Sequence, residues 1–243
     1  MTAIHWQREE PEIVYPESDG RPMGETEFHR DEAYDLIHAL QRYFERAADV
    51  HVTGNLFLYF VEDDPGSVVC PDVCVIQGVP KRERRIYKLW EEDGRTPCLV
   101  IELTSKTTRR EDLGRKKILY ERLGVEEYFL HDPFGEYLLP RLQGFRLGED
   151  GRYRPIEAAA DGSLASLTTG LSLRREGRKI RLVETATGKL LLWDQERDAR
   201  ADQAEALEEQ VRRAEERANQ EAAARRAAEE ELALLRRELE RRG

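Results

Sequence analysis

Two carboxylates stand where the sequence otherwise calls for hydrocarbon. Asp72 interrupts the apolar run VVCPDVCVI (68–76), and Glu102 interrupts CLVIELTS (98–105). Burying an acid inside a strand costs on the order of several kcal/mol unless it is paired or bound to a cation. Each acid has an ordinary explanation on its own. Pro71 removes a ladder donor, so Asp72 fits a Pro-Asp turn between two short strands, or an edge position. Glu102 fits a strand end satisfied by a neighbouring helix N-terminus. Taken together, two strand-borne carboxylates that converge on one point are what a hard divalent cation requires. Strand alternation sets Cys98, Val100, Glu102 and Thr104 on one face.

Two basic stretches flank these strands. KRERRIYK (81–88) holds five bases and one acid, and KTTRREDLGRKK (106–117) holds six bases and two acids. Charge runs are usually solvated faces, yet beside a two-carboxylate site they can form a local phosphate-binding rim. Cys70, Asp72 and Cys74 share a strand face without zinc-motif spacing. His29 and His131 are isolated in the sequence, and no Ser/His/Asp order is visible. Neither GxGxxG nor GxxxxGKS/T occurs, which removes dinucleotide and P-loop readings.

The elements that position the acids read as mixed α/β. Residues 1–27 are irregular, punctuated by Pro11, Pro16, Gly20, Pro22 and Gly24. Apolar residues at 33, 36, 37, 40, 43, 44 and 47 mark one face of a helix over 28–47. Strands follow at 51–63, 68–76 and 98–105, then a helix at 109–123 closed by Gly124, then a strand at 125–132. Short strand-like pieces separated by turns continue to KLLLW (189–193), as hairpins would. The expected organisation is an N-terminal segment 1–27 packed on the core, a domain 28–195 with a β-rich C-terminal part, and a charged helix 196–243.

Composition sets the outer limits. The 243 residues carry a net charge of −10 and 36% charged residues. That excludes nucleic-acid binding over the whole surface but not in a local cleft. No apolar run approaches the roughly 20 residues that span a bilayer, so no membrane partner is expected. There is no apolar stretch for a secretory signal. Three cysteines (Cys70, Cys74, Cys98) fit a reducing cytoplasm better than a disulfide framework. Residues 196–243 contain 14 acids, 11 arginines and 12 alanines, a balance that favours a helix laced with i,i+4 pairs. Its heptad seats read Ala204, Leu207, Val211, Ala214, Ala218, Glu221, Arg225, Ala228, Leu232, Leu235 and Leu239. Nine of eleven are apolar, which points to a coiled coil that dimerises or recruits a partner protein.

Five stretches in order carry a family resemblance: YPESDGRPMGETEFHRD (15–31), TGNLFLYF (53–60), CPDVCVIQGVPKRERRIYKLWEE (70–92), LVIELTSKTTRREDLGRKKILYERLGVEEYFLHDP (99–133) and LQGFRL (142–147). Over about 13–195 the chain resembles the Uma-two (Uma2) family of restriction endonucleases, within the PD-(D/E)XK nuclease superfamily. The resemblance implies an α/β restriction-endonuclease-like core, here with a C-terminal β-hairpin appendix and a long C-terminal helix. It implies a Mg²⁺- or Mn²⁺-dependent endonuclease acting on nucleic acid, DNA before RNA. Asp72 matches the Asp of the Pro-Asp element and Glu102 the acid of (D/E)XK. With the backbone carbonyl of Leu103 they would hold the metal. The motif's usual lysine seat is Thr104, a departure. Similar sequences carry a lysine on the following helix, which makes Lys116 the first candidate, ahead of Lys106 and Lys117. Glu25 or Glu27 would supply an outer ligand. Lys81, Arg82, Arg84, Arg85, Arg109, Arg110 and Arg115 would contact the nucleic-acid backbone. The missing strand lysine leaves one alternative open: a catalytically weak nuclease fold that binds or scaffolds through its C-terminal helix.

Overall fold

LVIEL (99–103) is buried at every position, which requires a strand covered on both faces. The rest of the body is arranged around it. The computed structural model describes residues 13–18, 26–105 and 108–242; Glu25 and Lys106 lie outside them. In chain order the helices are α1 (Glu27–Tyr43), α2 (Lys117–Leu123) and α3 (Asp194–Arg242). The first strands are β1 (Val50–Thr53), β2 (Leu58–Tyr59), β3 (Val68–Val69), β4 (Val73–Gln77), β5 (Tyr87–Lys88) and β6 (Leu99–Leu103). The later ones are β7 (Glu127–His131), β8 (Leu142–Leu147), β9 (Tyr153–Pro155), β10 (Leu164–Ser166), β11 (Leu171–Glu176) and β12 (Lys179–Glu184).

The main sheet has the order β1-β4-β6-β7-β8-β9. Only β6 and β7 run parallel, joined by the crossover through α2; the other neighbours are antiparallel. Alternation divides the core in two. Val73, Val75, Leu99, Ile101 and Leu103 face α1, whose Ala33, Leu36, Ala39 and Leu40 cover them. Cys74, Ile76, Val100, Tyr128 and Leu130 face Tyr120 of α2 and the small sheet β3-β2-β5. Cys98 departs from the expected face and joins the α1 side, because the strand begins only at Leu99.

The β-rich part is less separate than an appendix. β8 and β9 extend the main sheet, while β10–β12 form a three-stranded sheet. Its Leu164, Leu171, Leu173, Ile180 and Leu182 share the core cluster of α1. EYLLPRL reads as a strand by composition, but only its last residue enters one. Asp132 gathers the N–H groups of Phe134, Gly135, Tyr137 and Leu138 instead, and fixes a loop. Of the N-terminal segment, Tyr15 packs against Tyr59 and Trp90, and the Tyr59 hydroxyl donates to the Pro16 carbonyl at 2.5 Å.

Two strands expected to be continuous are broken. The 51–63 run breaks after Thr53 and resumes as β2, and the 68–76 run divides at Cys70–Asp72. The breaks face each other: the Asn55 N–H donates to the Pro71 carbonyl at 2.9 Å. Pro71 cannot donate to a ladder, so the chain leaves the small sheet there and enters the large one. This is the Pro-Asp turn between short strands, and it delivers Asp72 to the end of β4.

α3 is a separate unit of 49 residues. Arg213 and Arg225 pair with Glu209 and Glu229 four residues away. Leu207, Val211, Leu232 and Leu235 are all more than half exposed.

One buried acid ties α1 to both sheets. Glu32 is fully buried and accepts from the Ile180 N–H at 2.8 Å, with His131 Nε2 at 3.5 Å. His131 Nε2 also meets the Arg178 carbonyl at 2.7 Å, so that nitrogen carries the proton. Burial, partly offset by the Ile180 amide, pushes the Glu32 carboxyl up to about 8. The folded protein therefore keeps a proton that the unfolded chain releases above about 4.5. Stability is expected to fall as pH rises from about 5 to 8, by roughly 1 kcal/mol per unit from this group. Urea midpoints across that range should show the slope in the wild type and a flatter one in Glu32→Gln; equal slopes would refute the assignment.

Candidate active site

The β4–β6 register decides where the two acids meet. Val73 pairs with Ile101 and Cys74 with Val100. One step further along the same antiparallel register sets Asp72 opposite Glu102, and opposite residues have Cβ atoms about 5 Å apart. Asp72 lies just outside β4 and its Oδ2 accepts the Leu103 N–H at 2.7 Å. Leu103 is thus tied to the cluster by its N–H. Gly54 makes the approach possible. A Cβ there would stand 2.0 Å from the Asp72 carbonyl oxygen.

Glu102 is fully buried and both of its oxygens are occupied. Tyr120 donates to Oε1 at 2.7 Å and Lys116 Nζ to Oε2 at 2.9 Å. Lys116 also reaches the Cys70 carbonyl at 3.3 Å and lies 3.5 Å from Asp112 Oδ1. His29, on the first turn of α1, stands with Nε2 3.2 Å from Asp72 Oδ2. Thr104, in the motif's lysine seat, is buried, and its hydroxyl has no hydrogen-bond partner among the described residues.

The helix that supplies Lys116 is not an ordinary α-helix. Glu111–Lys116 forms a π-helical turn that leads directly into α2. Such turns are rare and often sit at functional sites. Here Asp112 and Lys116 face the sheet together, while Lys117 turns away, its ammonium 3.4 Å from the centre of the Phe145 ring. Of the two proposed lysines among the described residues, Lys116 and Lys117, Lys116 is the one at Glu102. Glu27 is exposed at the first position of α1; the α1 side chain that reaches the acids is His29, which seemed isolated in the sequence.

Charge inside the cluster is unbalanced. Three buried carboxyls, Asp72, Glu102 and Asp112, surround one ammonium. Burial lifts Glu102 well above the usual carboxylate range, against the pull of Lys116, and Asp72 and Asp112 add to the rise. Burial likewise lifts Asp112 to about 6. Burial also opposes ionisation of Asp72, but the His29 hydrogen bond and Lys116 outweigh it and hold that carboxyl below its ordinary value. Burial pulls the Lys116 ammonium down, yet the three carboxyls prevail and keep it protonated.

This imbalance bears on a metal. Among the described residues no three His, Cys, Asp or Glu side chains form a ready-made metal cage. The donor chemistry nevertheless fits a hard divalent ion. Asp112 meets Lys116 at 3.5 Å, and three carboxyls gathered around one ammonium are the kind of oxygen donors that a hard divalent ion takes.

The basic stretches behave differently from each other. Lys81 binds the Phe44 and Glu45 carbonyls, and Arg82 and Arg84 both grip Glu92. Arg84 keeps only 4% of its side chain exposed, and Arg85 pairs with Glu17. That loop is largely braced by the protein itself. Arg109 lies over the Tyr137 ring, whereas Arg110 and Arg115 are exposed on the helix that carries Lys116. Neither Asp112 nor Tyr120 is marked as a site residue by residue type or charge pattern. Their spacing of eight, with Lys116 midway, is the one local signal that they share a helix face.

A family model described as "Uma2: Putative restriction endonuclease" matches residues 3–179. Among solved structures, a "putative nuclease belonging to DUF820 from Anabaena variabilis ATCC 29413" is similar at 14% identity. The match covers 63% of this chain and 80% of that one, with a TM-score of 0.44. No curated protein matches.

Gly54→Ala is expected to destabilise the fold by about 1–3 kcal/mol, because backbone must move to admit the methyl group. Urea denaturation measures the change, and an unchanged midpoint would show that the Gly54–Asp72 approach is looser than described.

Proposed function

The chain belongs to the Uma2 family, and from that membership we propose that it is a Mg²⁺- or Mn²⁺-dependent endonuclease that hydrolyses phosphodiester bonds, with DNA as the preferred substrate. The observation that carries the reading is the convergence of Asp72, Glu102 and Lys116 on one point, beside a third buried carboxyl, Asp112. Asp72 and Glu102 are the side chains that would hold the metal, with the Leu103 carbonyl as a further oxygen donor. When bound, a divalent ion supplies an acidified water and neutralises charge on the phosphate.

The chain's own residues do the rest. Lys116, protonated throughout the neutral range, orients the attacking water or takes up negative charge as it develops on the phosphate oxygens. Tyr120 fixes the Glu102 carboxyl from behind. Leu103 N–H and His29 fix Asp72. Arg110 and Arg115 draw the nucleic-acid backbone to the helix without reading sequence.

Incubation of supercoiled plasmid with the protein and Mg²⁺ or Mn²⁺ should give nicked and linear forms, and EDTA should stop it. Asp72→Asn, Glu102→Gln and Lys116→Met should each lower the rate by at least about 100-fold. Thermal melting checks that the variants stay folded. Undiminished cleavage by any folded variant would remove that residue from the site.

A second reading, a scaffold that assembles through α3, is favoured by the exposed stripe of Leu207, Val211, Leu232 and Leu235. On this reading the body at 28–195 carries the fold and the 196–243 helix joins two copies or a partner protein. Sedimentation of the full chain should show a dimer or larger, and Leu232→Glu with Leu235→Glu should return it to monomer. A monomeric wild type would end the self-assembly form of the reading.

A further inference from the structure

Beside the acidic cluster lies a cleft of about 680 Å³, within the range of roughly 300–1,000 Å³ typical of small-molecule sites. One wall comes from the small sheet, with Phe57 and Phe60 flanking β2. The other comes from the π-helical turn and α2, with Glu111, Arg115, Lys116 and Arg122. Both aromatic rings are half-buried, so each keeps surface toward the cleft. Their backbone is fixed: the Phe57 carbonyl accepts the Tyr87 N–H at 2.8 Å, and the Phe60 N–H donates to the Ser67 carbonyl at 3.1 Å. Ile118, on the helical wall, is 53% exposed.

This lining asks for a ligand with two properties at once. Two aromatic rings and an exposed isoleucine suit a flat, apolar-faced group, because every base presents a π-face that stacks on an aromatic ring. Three cations on the helical wall suit an anion. Glu111 can accept from an exocyclic amine. A nucleotide combines all of these, but only when its base is out of the helical stack. The cleft also continues into the candidate active site, since Lys116 lines it and donates to Glu102. A nucleotide lodged there has its phosphate next to that lysine.

We propose that the cleft receives one unstacked base of the substrate strand, so that the enzyme acts on single-stranded nucleic acid or on a nucleotide flipped from a duplex. This rests on the nuclease reading of Asp72, Glu102 and Lys116 and adds a substrate class to it. Phe57 and Phe60 are the stacking platform, and Arg115 and Arg122 hold the flanking phosphates.

The test is binding of labelled oligonucleotides to full-length Glu102→Gln protein, followed by fluorescence anisotropy. Four 12-mers are compared: a single strand, an abasic strand with the same phosphates, a matched duplex, and a duplex with one central mismatch. The single strand should bind roughly 10-fold or more tightly than the abasic strand. Added Phe60→Leu or Phe57→Leu keeps apolar bulk without a ring, and should erase that difference while leaving the melting temperature nearly unchanged. Arg122→Ala should weaken the base-bearing and abasic strands alike. Mismatched duplex bound better than matched duplex assigns the site to flipped bases, and equal weak binding of both assigns it to single strands. Equal affinity for base-bearing and abasic strands, or a base preference that survives both leucine variants, overturns the proposal. Plasmid cleavage by the wild type in that case leaves the nuclease reading standing. Base-dependent binding without any cleavage removes the nuclease reading and keeps the cleft.

Discussion

One ammonium set among three buried carboxyls governs this molecule. Lys116 is the ammonium that Asp72, Glu102 and Asp112 share, and His29 is a second partner of Asp72. Removing one partner of a buried pair leaves an uncompensated charge, which is far worse than never having built the pair. The surrounding structure is organised to hold the four groups in place. The β4–β6 register brings the strand acids level, the small sheet and α2 close over one face, and α1 reaches in with His29.

The cluster also explains why the backbone breaks where it does. A continuous strand through Pro71 and Asp72 would bury the acid inside a ladder. By changing sheets at that proline, the chain brings Asp72 to the end of β4, beside the Leu103 amide. Gly54 lets the neighbouring strand pass close to the same carbonyl. The braced loop at 81–88 plays a supporting part, since Arg84 holds the Glu92 carboxyl down to about 2 and Arg82 strengthens the grip.

Much of this was legible in the residues. Lone acids in apolar strands mark Asp72 and Glu102, because polarity against periodicity is a local signal. Apolar spacing marks the helices expected at 28–47 and, with the Gly124 stop, at 109–123; the first forms over Glu27–Tyr43. Other features were hidden for physical reasons. Asp112 lies in a run of charges, where an acid bound for the interior looks like one bound for water. His29 meets Asp72 only through tertiary packing of residues far apart in sequence. EYLLPRL has strand composition, but Asp132 offers its amides better partners than a ladder would. The basic 81–88 loop reads as a binding rim until Glu92 is seen to neutralise two of its arginines.

The π-helical turn at 111–116 carries a consequence for how such a site can arise or be lost. A π turn holds one residue more than the α turn it replaces, so it amounts to a one-residue insertion in a helix that otherwise keeps its course. Successive side chains on a helix point about 100° apart. Deleting a single residue from that turn would rotate Lys116 off the sheet, with no change to any of the acids it serves. The place of Lys116 beside the acids is therefore set by helix length as much as by residue type. A lysine that looks displaced when sequences are aligned can still occupy the same place in space.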